Sequence, residues 1–534
     1  MRLFSTLPLI VLALAGAAPA VAQEKADTPR KEQPAADRAH DPAAAGAADK
    51  GWAQAPVEEV EKTSAHSIVA QGRTIAYKAT AGTLTIRNDE GKPTASVFYV
   101  AYTADGAKPG TRRPITFLYN GGPGSASLWL HMGSFGPMRV ETGNPDYVKP
   151  APYGYGPNPD TLLDKTDLVF IDAVGTGYSR PLGEAKGKDF WGVDQDADAF
   201  AKAVIRYLGK NGRWNSPKYI FGESYGTTRS GALAYQLQDR GVALNGVILL
   251  SSILNYGVRQ PGFDQIYLTY LPSYAATAWY HNRIQNRPAD LSAYIAEVRA
   301  WTYGPYAAAL AKGQNLSDAE RDAVAQQMAA YTGLSVEYLK NANLRVDLNR
   351  FRKELLRDQR LTVGRFDSRY TGVDADAAGE GPEFDASDVA VSGAYIASLH
   401  DYLANGLGYK TDLGYRLSAR DSEGWRWDFS HRAPGFRQPQ ASPDVAIDLS
   451  AAMRVNPSLK VLSLNGWYDM ATPFFGTEYD LSHMMLEPAL RGNVMFRYYQ
   501  AGHMAYLNPE ARRQMHADLA AFYDASATAS VAAQ

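Results

Sequence analysis

The chain has 534 residues, 54 Lys and Arg against 56 Asp and Glu, a net charge of −2, and no cysteine. With 45% apolar residues it can bury a large core, and the lack of a long basic block argues against nucleic-acid binding. Without cysteine there is no disulfide framework, thiol nucleophile or thiolate metal site.

Met1-Arg2, a mostly apolar run from Leu9 to Ala20 and the triplet Ala20-Val21-Ala22 read as a signal peptide over 1–22, cleaved before Gln23. The apolar run is short of the roughly 20 residues that span a membrane, and no later segment is a candidate span. A large, cysteine-free core fits export to a Gram-negative periplasm. Residues 23–60 are expected to be a flexible leader, because the stretch up to Gly51 is Ala, Pro, Glu, Lys and Asp with little to bury.

Strands follow over Thr74–Thr85, Ala95–Thr103 and Pro114–Tyr119, the last almost wholly apolar and so suited to burial on both faces. Asp167–Ile171 is a further short apolar strand, and Trp191–Leu208 has helical spacing. Lys218–Phe221 reads as strand, Thr228–Leu237 as helix and Leu244–Leu250 as strand. The strand pattern resumes at Val461–Leu464 and Val494–Tyr499. Repeated strand–helix units of this kind predict a mainly parallel sheet with helices on both faces. Between 255 and 459 the character changes. Tyr, Trp, Ala and Arg are prominent, helical periodicity occurs in Pro288–Leu310, Asp318–Tyr331 and Val389–Leu407, and Gly364–Phe384 reads as a loop. The expected organisation is a first domain part over 61–254, a helical cap inserted over 255–459, and a second part over 460–534.

The most telling segment is Gly222-Glu223-Ser224-Tyr225-Gly226, between a strand and a helix. That turn lifts a serine hydroxyl to the end of a sheet, as in the nucleophile elbow of α/β hydrolases. Serine needs a base and a group that orients the base. Of nine histidines, His503 is preferred, since it follows Ala501-Gly502 beyond the strand Val494–Tyr499 and lies late in the chain. Asp469, after the strand Val461–Leu464, is the expected orienting carboxylate. Asp480 is a second choice, expected to be helical and surface-facing. Two N–H groups stabilise the oxyanion of an acyl transfer. Tyr225 N–H is one candidate, and Gly122 in Asn120-Gly121-Gly122-Pro123-Gly124 is the other.

These motifs resemble the serine carboxypeptidase family of α/β hydrolases. The resemblance rests on Asn120 to Ser127, Phe170-Ile171-Asp172 with Gly175 to Ser179, Gly222 to Gly226, Gly466-Trp467-Tyr468-Asp469, and Ala501-Gly502-His503-Met504. It implies an α/β-hydrolase fold, into which the largely helical cap read above is inserted. It also implies release of C-terminal residues from peptides through a Ser224–Asp469–His503 triad, without metal or cofactor. Asn120, Gly121 and Glu223 are then expected to bind substrate, Asn120 and Glu223 holding the terminal carboxylate. A carboxylate beside a carboxylate requires a proton on one of them, which implies an acidic working pH. The sequence departs from the family pattern at Ser125, where the family has Cys, and at Ser134, where many members have a second substrate-binding Glu. Ser134 is the candidate to take that role with a hydroxyl, and Arg229 is a candidate cation. An esterase or acyltransferase on the same scaffold, or a non-catalytic peptide-binding protein, are the alternative readings.

Overall fold

The computed structural model describes residues 54–106 and 112–531. The signal peptide and most of the expected leader lie outside the described residues. The described end of that leader, 54–60, runs beside the first sheet strands: Val60 O accepts from Thr83 N (2.8 Å) and Glu59 Oε1 from Thr85 N (3.0 Å).

The main sheet is built from β1 (Glu61–Ala70), β2 (Arg73–Arg87), β3 (Pro93–Ala104), β4 (Ile115–Tyr119), β5 (Asp167–Ile171), β6 (Lys218–Glu223), β7 (Gly246–Leu250), β8 (Lys460–Gly466) and β9 (Val494–Tyr499). Their order in space is β1-β2-β3-β5-β4-β6-β7-β8-β9. The first three form an antiparallel meander, β3 meets β5 antiparallel, and every pairing from β5 to β9 is parallel. The strands expected from the sequence are present. The first hairpin strand, β1, is not among those expected: its outer face is exposed and its residues Glu61 to His66 offer little to bury.

Side-chain alternation divides the core in two. Tyr219 and Phe221 of β6, with Ile248 and Leu250 of β7, face one cluster. Ile220, Val247 and Leu249 face the other. The first cluster is closed by α1 (Leu128–Gly133) and by apolar residues Met515, Leu519 and Phe522 of the C-terminal helix. The second is closed by α2 (Val193–Lys210) and α3 (Tyr225–Asp239). Helices on both faces and a mainly parallel centre make this an α/β-hydrolase fold.

After β7 the chain leaves the sheet and returns only at β8. The intervening residues form helices including α4 (Gln265–Tyr280), α5 (Leu291–Trp301), α6 (Asp318–Thr332), α7 (Ser392–Asp401) and α8 (Ala446–Val455). The early helices build further apolar clusters, one around Leu271, Tyr274 and Phe351 that takes in Met470, and one around Trp279, Tyr294 and Ile295 that takes in Trp467 and Phe474 from beyond β8. The end of the segment behaves differently. Leu449 and Met453 of α8 join the sheet core beside α3, so α8 is a layer helix of the body.

Candidate active site

The parallel strands β6, β7, β8 and β9 end along one edge of the sheet, and the turns beyond β6, β8 and β9 carry Ser224, Asp469 and His503. This is where ligands gather in open α/β sheets.

Ser224 has φ 60° and ψ −130°, a backbone conformation rare for a residue with a side chain. The turn is held by Ser224 N donating to Leu250 O (3.0 Å) and by Thr227, whose N–H (2.8 Å) and hydroxyl (2.7 Å) both donate to Ser224 O. Gly222 is required by close approach: a Cβ there would lie 2.2 Å from Gly226 O. The same holds at Gly121, where a Cβ would lie 2.4 Å from Tyr225 N, so the Gly-rich loop and the elbow touch backbone to backbone. Tyr225 N–H opens α3 and has no helical carbonyl one turn back to bond. Gly121 O accepts from Ser125 N (3.1 Å). In a trans peptide the Gly122 N–H points the opposite way.

His503 and Asp469 are both buried, and His503 Nδ1 lies 2.9 Å from Asp469 Oδ2. The carboxylate is further fixed by Ala471 N (2.8 Å), Thr472 N (2.9 Å) and Thr472 Oγ1 (2.9 Å). Ser251 Oγ donates to His503 O (2.7 Å). Burial alone would lower the imidazole, but the adjoining Asp469 and then Glu223 outweigh it, so His503 is raised above its usual value. Nδ1 is taken by Asp469, which leaves Nε2 as the nitrogen available to the serine.

Glu223 is buried directly before the nucleophile. Asn120 Nδ2 donates to its Oε2 (2.9 Å), as does the Tyr506 hydroxyl (3.0 Å). Asn120 is itself oriented, since its Oδ1 accepts from Leu130 N (2.8 Å). Burial pushes the Glu223 carboxyl up to about 7, against the opposing effects of His503, Tyr506 and Asn120. It can therefore carry a proton near neutral pH.

Asn120, Gly121, Gly122, Glu223, Ser224 and His503 line one cavity of about 380 Å³. Asp469 stands behind His503. Ser134 is not brought to this cavity. It is fully buried at the end of α1, and its hydroxyl donates to Leu130 O. Arg229 is not there either: it lies behind the elbow, with Nε on Asp196 Oδ2 (2.7 Å) and Nη1 on Asn120 O (2.7 Å), a buried ion pair that positions the Gly-rich loop. Asp480 is helical but not surface-facing. It is buried and accepts from Leu254 N (3.0 Å) and Arg259 Nη2 (2.9 Å).

Several site residues escaped sequence reasoning. Tyr506 and Thr472 each lie three residues after an expected triad member, and that proximity was the signal. The far wall comes from the inserted segment, with Arg365, Phe366, Ile396, Leu417 and Arg420. The Phe366 ring stacks on His503 (centroids 5.1 Å apart), and Phe366 O accepts from His503 N (2.6 Å). Arg420 Nη2 donates to Gly122 O (3.0 Å). Among the described residues no cluster of His, Asp and Glu could hold a metal, and no helix is long and apolar enough to cross a membrane.

The fold is that of the α/β hydrolases. The chain belongs to the serine carboxypeptidase family, whose sequence model matches residues 71–355. It is similar to serine carboxypeptidase-like 36 of Arabidopsis thaliana, 23% identical over 201 residues, which are 36% of this chain and 39% of that protein. It is also similar to the pheromone-processing carboxypeptidase KEX1 of Saccharomyces cerevisiae, 29% identical over 113 residues, 21% of this chain and 14% of that protein. The matches thus span well under half the length of these curated relatives. Among solved structures, the prohormone-processing carboxypeptidase KEX1(delta)p of Saccharomyces cerevisiae superimposes with a TM-score of 0.49 at 13% identity, covering 84% of this chain and 91% of that one.

Proposed function

We propose that this protein is a serine carboxypeptidase that releases C-terminal residues from peptides through an acyl-enzyme. The observation that carries the reading is the buried Asn120–Glu223 pair in the wall of the cavity that Ser224 and His503 also line. A carboxyl group able to hold its proton near pH 7, beside an oriented amide, can receive a peptide's terminal carboxylate next to a nucleophile.

In this reading His503 Nε2 takes the Ser224 proton as Oγ attacks the scissile carbonyl. Asp469 holds the imidazole tautomer and stabilises the imidazolium. The N–H groups of Gly122 and Tyr225 receive the oxyanion. Collapse of the tetrahedral intermediate breaks the C–N bond, and His503 gives its proton to the departing amine. Water, deprotonated by His503, then cleaves the ester to release the shortened peptide and restore Ser224. Asn120, Gly121 and Glu223 hold the terminal carboxylate. Residues 255–459 contribute a cap over the cavity, with α8 reaching back into the body. The amino-terminal signal directs the chain across a membrane to the periplasm.

Mass spectrometry of a mixed peptide library after incubation tests the activity. Loss of single C-terminal residues by the wild-type protein, absent with Ser224→Ala, is the expected result. Cleavage of amidated and free-acid peptides at equal rates would reject an exopeptidase. One observation favours a second reading, an esterase or acyltransferase on the same scaffold. Ser134, which stands where a second carboxylate-binding acid is expected, is turned away from the cavity. Rapid turnover of simple esters with no peptide trimming would support it.

A further inference from the structure

The active-site cavity contains a positive charge for which the triad chemistry has no use. Arg365 lies in its wall, half-buried, on the inserted segment. Its backbone is clamped on both sides: Arg365 N donates to Asp385 Oδ1 (2.8 Å), and Arg365 O accepts from Met470 N (3.1 Å), one residue after Asp469. The next residue, Phe366, stacks on the His503 ring. The side chain is thus presented from a rigid support beside the triad.

Its guanidinium lies over the Phe366 ring, 5.5 Å from the centroid, and has no carboxylate partner among the described residues. Among the described residues Arg365 forms no ion pair, and its Nε is buried without a hydrogen-bond partner. The nearby Asp385 is held by the backbone N–H groups of Arg365, Phe366 and Ser387 and by the Ser387 hydroxyl, and its ion-pair partner is Arg352 at 3.8 Å. Arg420, the other arginine of the cavity, is different, since it donates to Gly122 O and Pro123 O. A desolvated donor without an acceptor is costly, and a planar guanidinium fork matches a carboxylate in two parallel hydrogen bonds.

We propose that Arg365 binds a carboxylate of the substrate in the active-site cavity, as a specificity-determining residue of this chain. The inference rests on the peptidase reading above for its substrate class. The carboxylate has two possible sources, the peptide's C-terminal group and an acidic side chain next to the scissile bond. With Ser134 buried elsewhere and Arg420 bonded to the carbonyls of the Gly-rich loop, Arg365 is the cavity arginine left to pair with either.

The test separates binding from turnover. In the Ser224→Ala protein, binding of four matched peptides is measured by calorimetry: a free acid and its amide, each ending in either Glu or Gln. The expected result is that Arg365→Gln reduces the preference for the anionic member of one matched pair at least tenfold, while Arg365→Lys keeps part of it. Loss in the acid–amide comparison assigns the C-terminal carboxylate, and loss in the Glu–Gln comparison assigns the side chain. Preferences that stay unchanged, or peptides that all weaken together, overturn the proposal in favour of a structural role. If wild-type protein trims no peptide yet the Ser224→Ala protein shows the Arg365-dependent preference, the peptidase reading fails and the carboxylate site stands.

Discussion

Two regions of the molecule meet at the cavity and are built on different rules. The sheet edge carries Ser224, Asp469 and His503 on short turns, each positioned by backbone geometry and by bonds to its neighbours, such as Thr227 to Ser224 O and Thr472 to Asp469. The inserted segment carries Arg365 and Phe366, held by hydrogen bonds to Asp385, Met470 and His503 from distant parts of the chain, and Ile396 and Leu417, which pack against a core cluster of the sheet. On the proposed function the first region would perform the bond-making steps and the second would set what can lie against them, a division by which one scaffold can keep its chemistry while its substrates vary.

The largest effects should come from the sheet edge. Ser224→Ala is expected to lower kcat by about a million-fold and Asp469→Asn by about ten-thousand-fold, on ester and peptide substrates alike. Steady-state kinetics with both substrate types, together with fluorophosphonate labelling, checks this. An effect confined to peptides would break the comparison, because the edge would then be selecting substrate as well as performing chemistry.

The next effect concerns stability. Arg229 is fully buried in the body and paired with Asp196, while Arg420 of the inserted segment is exposed. Arg229→Met leaves the Asp196 carboxylate buried without its partner, a loss of about 3–5 kcal/mol. Arg420→Met removes contacts at the surface and should cost less than about 1 kcal/mol. Denaturant titration of the two variants gives the difference directly. Equal losses would mean that the inserted segment is as integral to folding as the sheet.

The same contrast governs what could be read from the sequence. Strand β5 and strand β9 were legible to the residue, because short apolar runs between turn signals have few other meanings. The nucleophile turn was legible because its glycines answer to close backbone approach, as at Gly222 and Gly121. Helix α4 was not legible: it carries Pro272, and it is buried on nearly every side, so no polar stripe marks it. Arg365 lay in a segment read as loop, and its position depends on Asp385 and Met470, contacts that no local pattern encodes. The mistaken reading of Asp480 as surface-facing has the same origin, since Arg259 and the backbone at Leu254 and Asn255 bury it from across the fold.

A third prediction uses Glu223, raised by burial to about 7. Below that pH the carboxyl is protonated and can donate to a substrate carboxylate; above it the two groups repel. For free-acid peptides kcat/KM should therefore fall about tenfold per pH unit above 7, while esters without a carboxylate should follow His503 alone. Glu223→Gln keeps an amide donor and should remove the alkaline decline. Linkage gives a second readout. A carboxyl raised from 4.5 contributes stability below pH 4.5 that is lost as pH rises through 7, so Glu223→Gln should gain stability relative to wild type between pH 5 and 8. Identical profiles for acids and esters would count against a carboxylate-binding role.

A further effect is expected where the inserted segment is tied to the body. His431 is buried between two carboxylates, Asp194 of α2 at 2.6 Å from Nδ1 and Asp448 of α8 at 2.8 Å from Nε2. Burial lowers the imidazole, but the two carboxylates outweigh it and raise His431 to about 9. Asp194, which also accepts from Arg432 N, is lowered, while burial keeps Asp448 raised. His431 is therefore charged in the folded protein at pH 7. The sign follows from linkage: its stabilisation is fully present below the unfolded value of 6.5 and is lost as pH rises through about 9. His431→Gln should lower Tm by a few degrees at pH 6, and the gap from wild type should close toward pH 9.5. A gap that does not depend on pH would mean that His431 acts by packing alone, and that the tether between the two regions carries no charge.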